Sequence, residues 1–226
     1  RSMNTLSIAL ALPTLAAAGL AAQAPVTPRA ITPNDVFHLR SVSDPQLSPD
    51  GQVVVYTLRE TDWDANRGRT GLWRLALGAP DAQPERLTAA GSNASSPRWS
   101  ADGKWLYFLS NRSGNNQLWR LGVGPGEAQQ ATKLPFEVRN FALAPDGRQL
   151  VVALDVYVDC ADLACTKKRL DERAANKASG MHFDGLFIRH WDEWSDGRRS
   201  QLFIAGLDAN GIATGEPRRL TRDISG

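Results

Sequence analysis

Apolar residues recur along this chain in short runs bounded by turn residues. Val53-Val54-Val55-Tyr56-Thr57, Trp105-Leu106-Tyr107-Phe108-Leu109 and Leu150-Val151-Val152-Ala153-Leu154 are built from β-branched, aromatic and aliphatic side chains. Such runs predict strands, and their near-continuous apolar character predicts cover on both faces. Each run follows one phrase: Leu47-Ser48-Pro49-Asp50-Gly51, Trp99-Ser100-Ala101-Asp102-Gly103, then Leu143-Ala144-Pro145-Asp146-Gly147. Asp-Gly suits a tight hairpin turn, because Gly accepts positive φ and the Asp carboxylate can bond its own backbone. Asp50 to Asp102 is 52 residues and Asp102 to Asp146 is 44. Repeats of roughly 40–50 residues with short strands mark the blades of a β-propeller.

Two further echoes complete each unit. Leu72-Trp73-Arg74-Leu75, Leu118-Trp119-Arg120-Leu121 and Leu202-Phe203-Ile204-Ala205 read as third strands. Arg86-Leu87-Thr88, Ala131-Thr132-Lys133-Leu134 and Arg219-Leu220-Thr221 read as outer strands, where charge discourages unwanted pairing. The expected fold is all-β: a propeller segment of about three four-stranded blades forming an incomplete ring. The expected blades span 42–90, 91–136 and 137–222. Three blades leave two blade faces bare. A repeat that buries its faces only against neighbours implies that the chain is part of something larger.

The ends and interruptions follow other patterns. Leu6 to Ala22 is almost wholly apolar and small, and Ala22-Gln23-Ala24 precedes Pro25, so residues 1–24 read as a secretory signal with periplasmic or secreted destination. The stretch is short for a membrane anchor, and no stable span is expected after cleavage. Residues 25–41 read as a leader and a short helix, with Thr32 as cap and Pro33 at the first helical position. The third unit carries an insertion over 157–200. Cys160 and Cys165 are the only cysteines, and export predicts that they form a disulfide. Good helix formers from Thr166 to Ala175 predict a short exposed helix capped at Thr166.

Net charge is +2, so composition carries no nucleic-acid footprint. No G-x-S-x-G elbow, phosphate loop or metal-ligand spacing is present, and no cofactor or metal is expected. His38, His182 and His190 stand outside any Ser-and-acid context. Asn93-Ala94-Ser95 and Asn111-Arg112-Ser113 are formal glycosylation sequons. Arg189 to Ser200 packs two Trp, one His, acids and three Arg into one short span. It reads either as a recognition element with acids for a cationic substrate end, or as a clasp of packed Trp191 and Trp194 with Arg–Asp pairs.

The phrase from Val42 to Gly51, after a capped helix, resembles the start of the propeller in prolyl oligopeptidase family serine peptidases. Arg189-His190-Trp191-Asp192-Glu193-Trp194 and Asp196-Gly197-Arg198-Arg199-Ser200-Gln201-Leu202-Phe203 resemble bacterial secreted members of the dipeptidyl-peptidase V and acylaminoacyl-peptidase type. The resemblance covers about residues 31–226. It implies a peptide substrate, further blades, and a C-terminal α/β-hydrolase domain whose access the propeller gates. It also implies that this chain alone holds no catalytic residue and hydrolyses nothing. Acidic propeller residues bind the substrate amino terminus in some members, and Asp192 and Glu193 are the matching candidates. TolB-type propellers share the Asp-Gly phrase, so a periplasmic scaffold holding a protein partner is the second reading.

Overall fold

The computed structural model describes residues 29–124, 126–178, 180, 189–190, 193–194 and 196–221. A short helix, α1 (Pro33–Phe37), leads in, and its Asp35 carboxylate accepts from the Thr32 N–H and hydroxyl, both at 2.7 Å. Three four-stranded antiparallel sheets follow. The first holds β1 (Ser41–Leu47), β2 (Val53–Asp62), β3 (Arg67–Ala76) and β4 (Glu85–Arg86) in that order. The second holds β5 (Ala94–Trp99), β6 (Trp105–Ser110), β7 (Gln117–Gly122) and β8 (Gln129–Gln130). The third orders β9 (Asn140–Leu143), β10 (Gln149–Tyr157), β13 (Arg198–Leu207) and β14 (Ala213–Arg219). Between β10 and β13 lie α2 (Leu163–Ala175) and a two-stranded pair, β11 (Arg189–His190) and β12 (Glu193–Trp194). These are propeller blades, with the partly helical insertion in the third.

The Asp-Gly phrase closes each first hairpin in the same way. Gly51, Gly103 and Gly147 have φ of 73°, 69° and 69°, the region glycine favours. Each glycine N–H donates back three residues, to Ser48, Ser100 and Ala144 oxygens. The first two blades share more. Asp44 and Ser96, each before a proline, take positive φ where the register of their strands shifts, so β1 and β5 carry the same bulge. The third blade lacks the proline, and β9 pairs with β10 without a shift.

Side-chain alternation along β6 joins the blades. Leu106 and Phe108 pack with Val55, Leu72, Ala94 and Leu121 toward the first blade. Tyr107 and Leu109 pack with Val138, Phe141, Leu150 and Val152 toward the third. Cover on both faces therefore holds for the second blade. In β2 and β10 the residues of the opposite face, Val54, Tyr56, Val151 and Ala153, are only half-buried, because one neighbouring sheet is packed against each.

The outer strands differ from their expected positions. β4 and β8 end at Arg86 and Gln130, before the threonines expected within them. The chain leaves the sheet there, and a side chain takes over from the backbone: Thr88 and Thr132 hydroxyls accept from the N–H of Leu72 and Leu118 at 3.0 and 2.9 Å. In the third blade, β14 starts earlier than expected, at Ala213. The insertion helix also starts earlier, at Leu163. Its cap is Asp162, whose carboxylate accepts from the Cys165 N–H at 2.7 Å. Thr166 is fully buried inside the helix and accepts from the Tyr157 N–H, so it cannot cap.

Candidate functional site

The insertion begins where β10 ends, and its first turn is cross-linked. Cys160 and Cys165 form a disulfide with Cα atoms 5.5 Å apart. That bond ties the loop after β10 to the first turn of α2. Arg219, on β14, holds the same loop from the other side: its Nη1 donates to the carbonyls of Val158 and Cys160 at 3.1 and 3.2 Å. Its Nε and Nη2 are buried without a hydrogen-bond partner among the described residues. Asp159 accepts from Nη1 and Nη2 of Arg169, at 2.8 and 2.6 Å. The Arg169 hydrogen bond holds the Asp159 carboxyl below its usual range, and Asp159 in turn raises Arg169. Arg169 also lies over the Tyr157 ring, 5.2 Å from its centroid.

Loop and outer strand together wall a cavity of about 830 Å³, lined by Asp159, Asp162, Leu163, Phe203, Glu216 and Arg219 among others. Among the described residues its lining contains no serine, histidine or free thiol. Such a wall can bind or admit a ligand through its acids and arginines. Among the described residues, no cluster of His, Cys, Asp or Glu is fit to hold a metal, and no helix is long and apolar enough to cross a membrane.

Asp192 lies outside the described residues, as do Trp191, His182 and residues 1–24. The backbone of Glu193 lies in β12, directly opposite His190 of β11. Of the ion pairs expected in this stretch, Arg198 donates to Asp196 at 2.7 Å. The sequon asparagines serve the backbone. Asn93 Oδ1 accepts from the Thr70 N–H at 3.1 Å, and Asn111 Oδ1 accepts from the Asn93 N–H at 3.0 Å. Sequence reasoning places Arg219 in an outer strand but gives it no role at the insertion. Only its place in an outer strand opposite Phe203 brings it to the insertion loop, and no local motif carries that.

No protein-family model matches the chain. It is 30% identical over 207 residues to dipeptidyl-peptidase 5 of Porphyromonas gingivalis, covering 88% of this chain and 29% of that protein. It is 27% identical over 213 residues to dipeptidyl-peptidase 5 of Porphyromonas endodontalis, covering 93% of this chain and 30% of that protein. The chain thus spans less than a third of the length of these curated relatives. Among solved structures it is similar to Pyrococcus horikoshii acylaminoacyl peptidase, with a TM-score of 0.55 at 18% identity over 83% of this chain and 26% of that one. This last likeness shows the fold alone. The three blades are therefore a propeller segment homologous to part of dipeptidyl-peptidase 5, in keeping with the prolyl oligopeptidase family of peptidases.

Proposed function

We propose that these blades belong to an exported serine peptidase that cleaves short peptides, and that they gate substrate access to a hydrolase domain encoded further along the same gene. One observation carries this reading: the relationship to dipeptidyl-peptidase 5 extends along nearly the whole chain. A rigid wall of stacked sheets excludes folded substrates by size and leaves the chemistry to another domain. The cavity under the cross-linked loop fits that division, since its described lining holds no serine, histidine or free thiol. Within the insertion, Asp192 and Glu193 are the acids that would meet a substrate amino terminus.

The test uses the full-length gene product. Chromogenic dipeptide substrates with free and acetylated amino termini are compared, then a series of lengthening peptides, with a serine-reactive probe as active-site label. The reading expects probe labelling, turnover of short substrates and a steep fall with length. Absence of both labelling and turnover overturns it. Asp192→Ala and Glu193→Ala should weaken turnover of free-ended substrates more than blocked ones, and equal losses discard the amino-terminus role. Export predicts a mature protein beginning at Pro25, read by amino-terminal sequencing of the secreted or periplasmic fraction.

A further inference from the structure

The turn between β13 and β14 holds Asn210-Gly211, the only Asn-Gly pair in the sequence. Each of the other nine asparagines precedes a residue with a Cβ. That matters because an asparagine loses its amide when the next backbone nitrogen attacks its side-chain carbon, and a Cβ on the attacking residue hinders the approach. Asn210 is exposed at the tip of the turn. Its backbone N–H donates to Asp208 Oδ1 at 2.8 Å, while its side-chain amide makes no hydrogen bond among the described residues. The turn is closed by Gly211 N–H to the Asp208 carbonyl at 2.8 Å, so the attack proceeds from a transiently opened turn at the sheet's outer edge.

The same turn fastens two blades together. Gly211, at φ 70°, offers its carbonyl to the buried Tyr107 hydroxyl at 3.1 Å. Two residues on, the Ala213 N–H donates to the Ala131 carbonyl at 2.9 Å. Asp102, Asp146 and Asp208 line a cavity of about 210 Å³ at this seam.

We propose that Asn210 is a site of spontaneous deamidation whose conversion loosens the seam between the second and third blades. The Gly211 nitrogen gives its proton to solvent base and attacks Asn210 Cγ. Ammonia leaves and a five-membered imide forms. Water then opens either imide carbonyl, yielding Asp or a β-linked isoaspartate. One water is consumed and one ammonia released. The new carboxylate arises two residues from Asp208, whose carboxylate already accepts the Asn210 N–H. The isoaspartyl form also adds a backbone carbon immediately before Gly211, which pulls its carbonyl off Tyr107.

The experiment ages the full-length protein in mildly alkaline buffer and maps its peptides by mass spectrometry, with isoaspartate labelling. The tryptic peptide covering 200–218 should convert to acid before any other asparagine peptide. Conversion no faster than at Asn66 or Asn176 overturns the site. Hydrogen exchange reads the seam. The Ala213 amide should exchange faster in aged wild type than in fresh protein, and should stay protected in aged Asn210→Gln. Unchanged protection in deamidated protein overturns the loosening.

Discussion

The Thr132 hydroxyl accepts the backbone N–H of Leu118 at 2.9 Å, the amide that β8 is too short to reach. It donates in turn to Gln117 Oε1 at 2.9 Å. The third blade repeats the pair, with Thr221 accepting from the Leu202 N–H and donating to Gln201 Oε1. The first blade keeps Thr88 with Leu72 but has Gly71 where the glutamine would stand, and the end of the Arg86 side chain lies over that glycine. Buried backbone groups must find partners, and here a conserved geometry within one chain supplies one from a side chain. Thr132→Val should therefore lower stability by about 1–3 kcal/mol, the cost of orphaning a buried donor, while Thr132→Ser should cost less. Denaturant midpoints of the full-length protein decide it, and a Val variant as stable as wild type would sink the argument.

That threonine also shows where sequence reasoning ran out. The repeat made the blades legible: apolar runs behind Asp50, Asp102 and Asp146 became β2, β6 and β10. The recurrence of Thr at the end of each unit is visible too, but its flanks have the composition of strand. Nothing in a linear pattern separates a ladder residue from one whose side chain replaces the ladder. Leu163 was missed as a helical residue for a related reason: Asp162 caps through a loop whose shape is set by the disulfide and by Arg219. The candidate site was less legible than the fold, since its wall joins residues near 160 to residues near 218.

The serine of the turn phrase should set the acidity of its aspartate. The Ser100 hydroxyl donates to Asp102 Oδ1 at 2.6 Å, and the Lys104 N–H does so at 3.1 Å. The hydroxyl first, then the amide, hold the Asp102 carboxyl below its usual range; Ser48 and Gln52 do the same for Asp50. A carboxyl lowered by folding stabilises the fold above its unfolded pKa, and the contribution is lost as pH falls through the lowered value. Ser100→Ala should move the Asp102 titration back up, so the contribution shrinks and its loss is complete at a higher pH. Carboxyl carbon NMR across the acid range measures it; an unmoved midpoint would discard the serine's role.

Two glycines with nearly equal backbone should tolerate a methyl group very differently. Gly211 and Gly215 have φ of 70° and 69°. A Cβ at Gly211 would lie 2.0 Å from Tyr107 Oη, whereas at Gly215 nothing stands within 4 Å. Gly215→Ala should cost only the left-handed backbone penalty, about 1–2 kcal/mol. Gly211→Ala adds overpacking and should cost about 2–5 kcal/mol in all. Thermal midpoints of the two variants compare them directly, and equal losses would mean that the Tyr107 hydroxyl moves aside freely.

The disulfide should fasten the insertion without holding up the blades. Cys160 and Cys165 close a loop of sequence separation 5, so chain-entropy reasoning gives about 2 kcal/mol. The sheets do not depend on it, because their cores run through Val55, Phe108 and Val152, packed between blades. The loop keeps other ties when the bond is gone: Arg219 to the carbonyls of Val158 and Cys160, Arg169 to Asp159, and Thr166 to Tyr157. Replacing both cysteines by serine should therefore raise hydrogen exchange in α2 while leaving β6 and β10 protected. Adding Arg219→Gln to that variant removes a further tie and should free the loop beyond the sum of the separate changes, since both act on one short segment. Loss of protection in β6 on reduction alone would show that the cross-link supports the propeller itself.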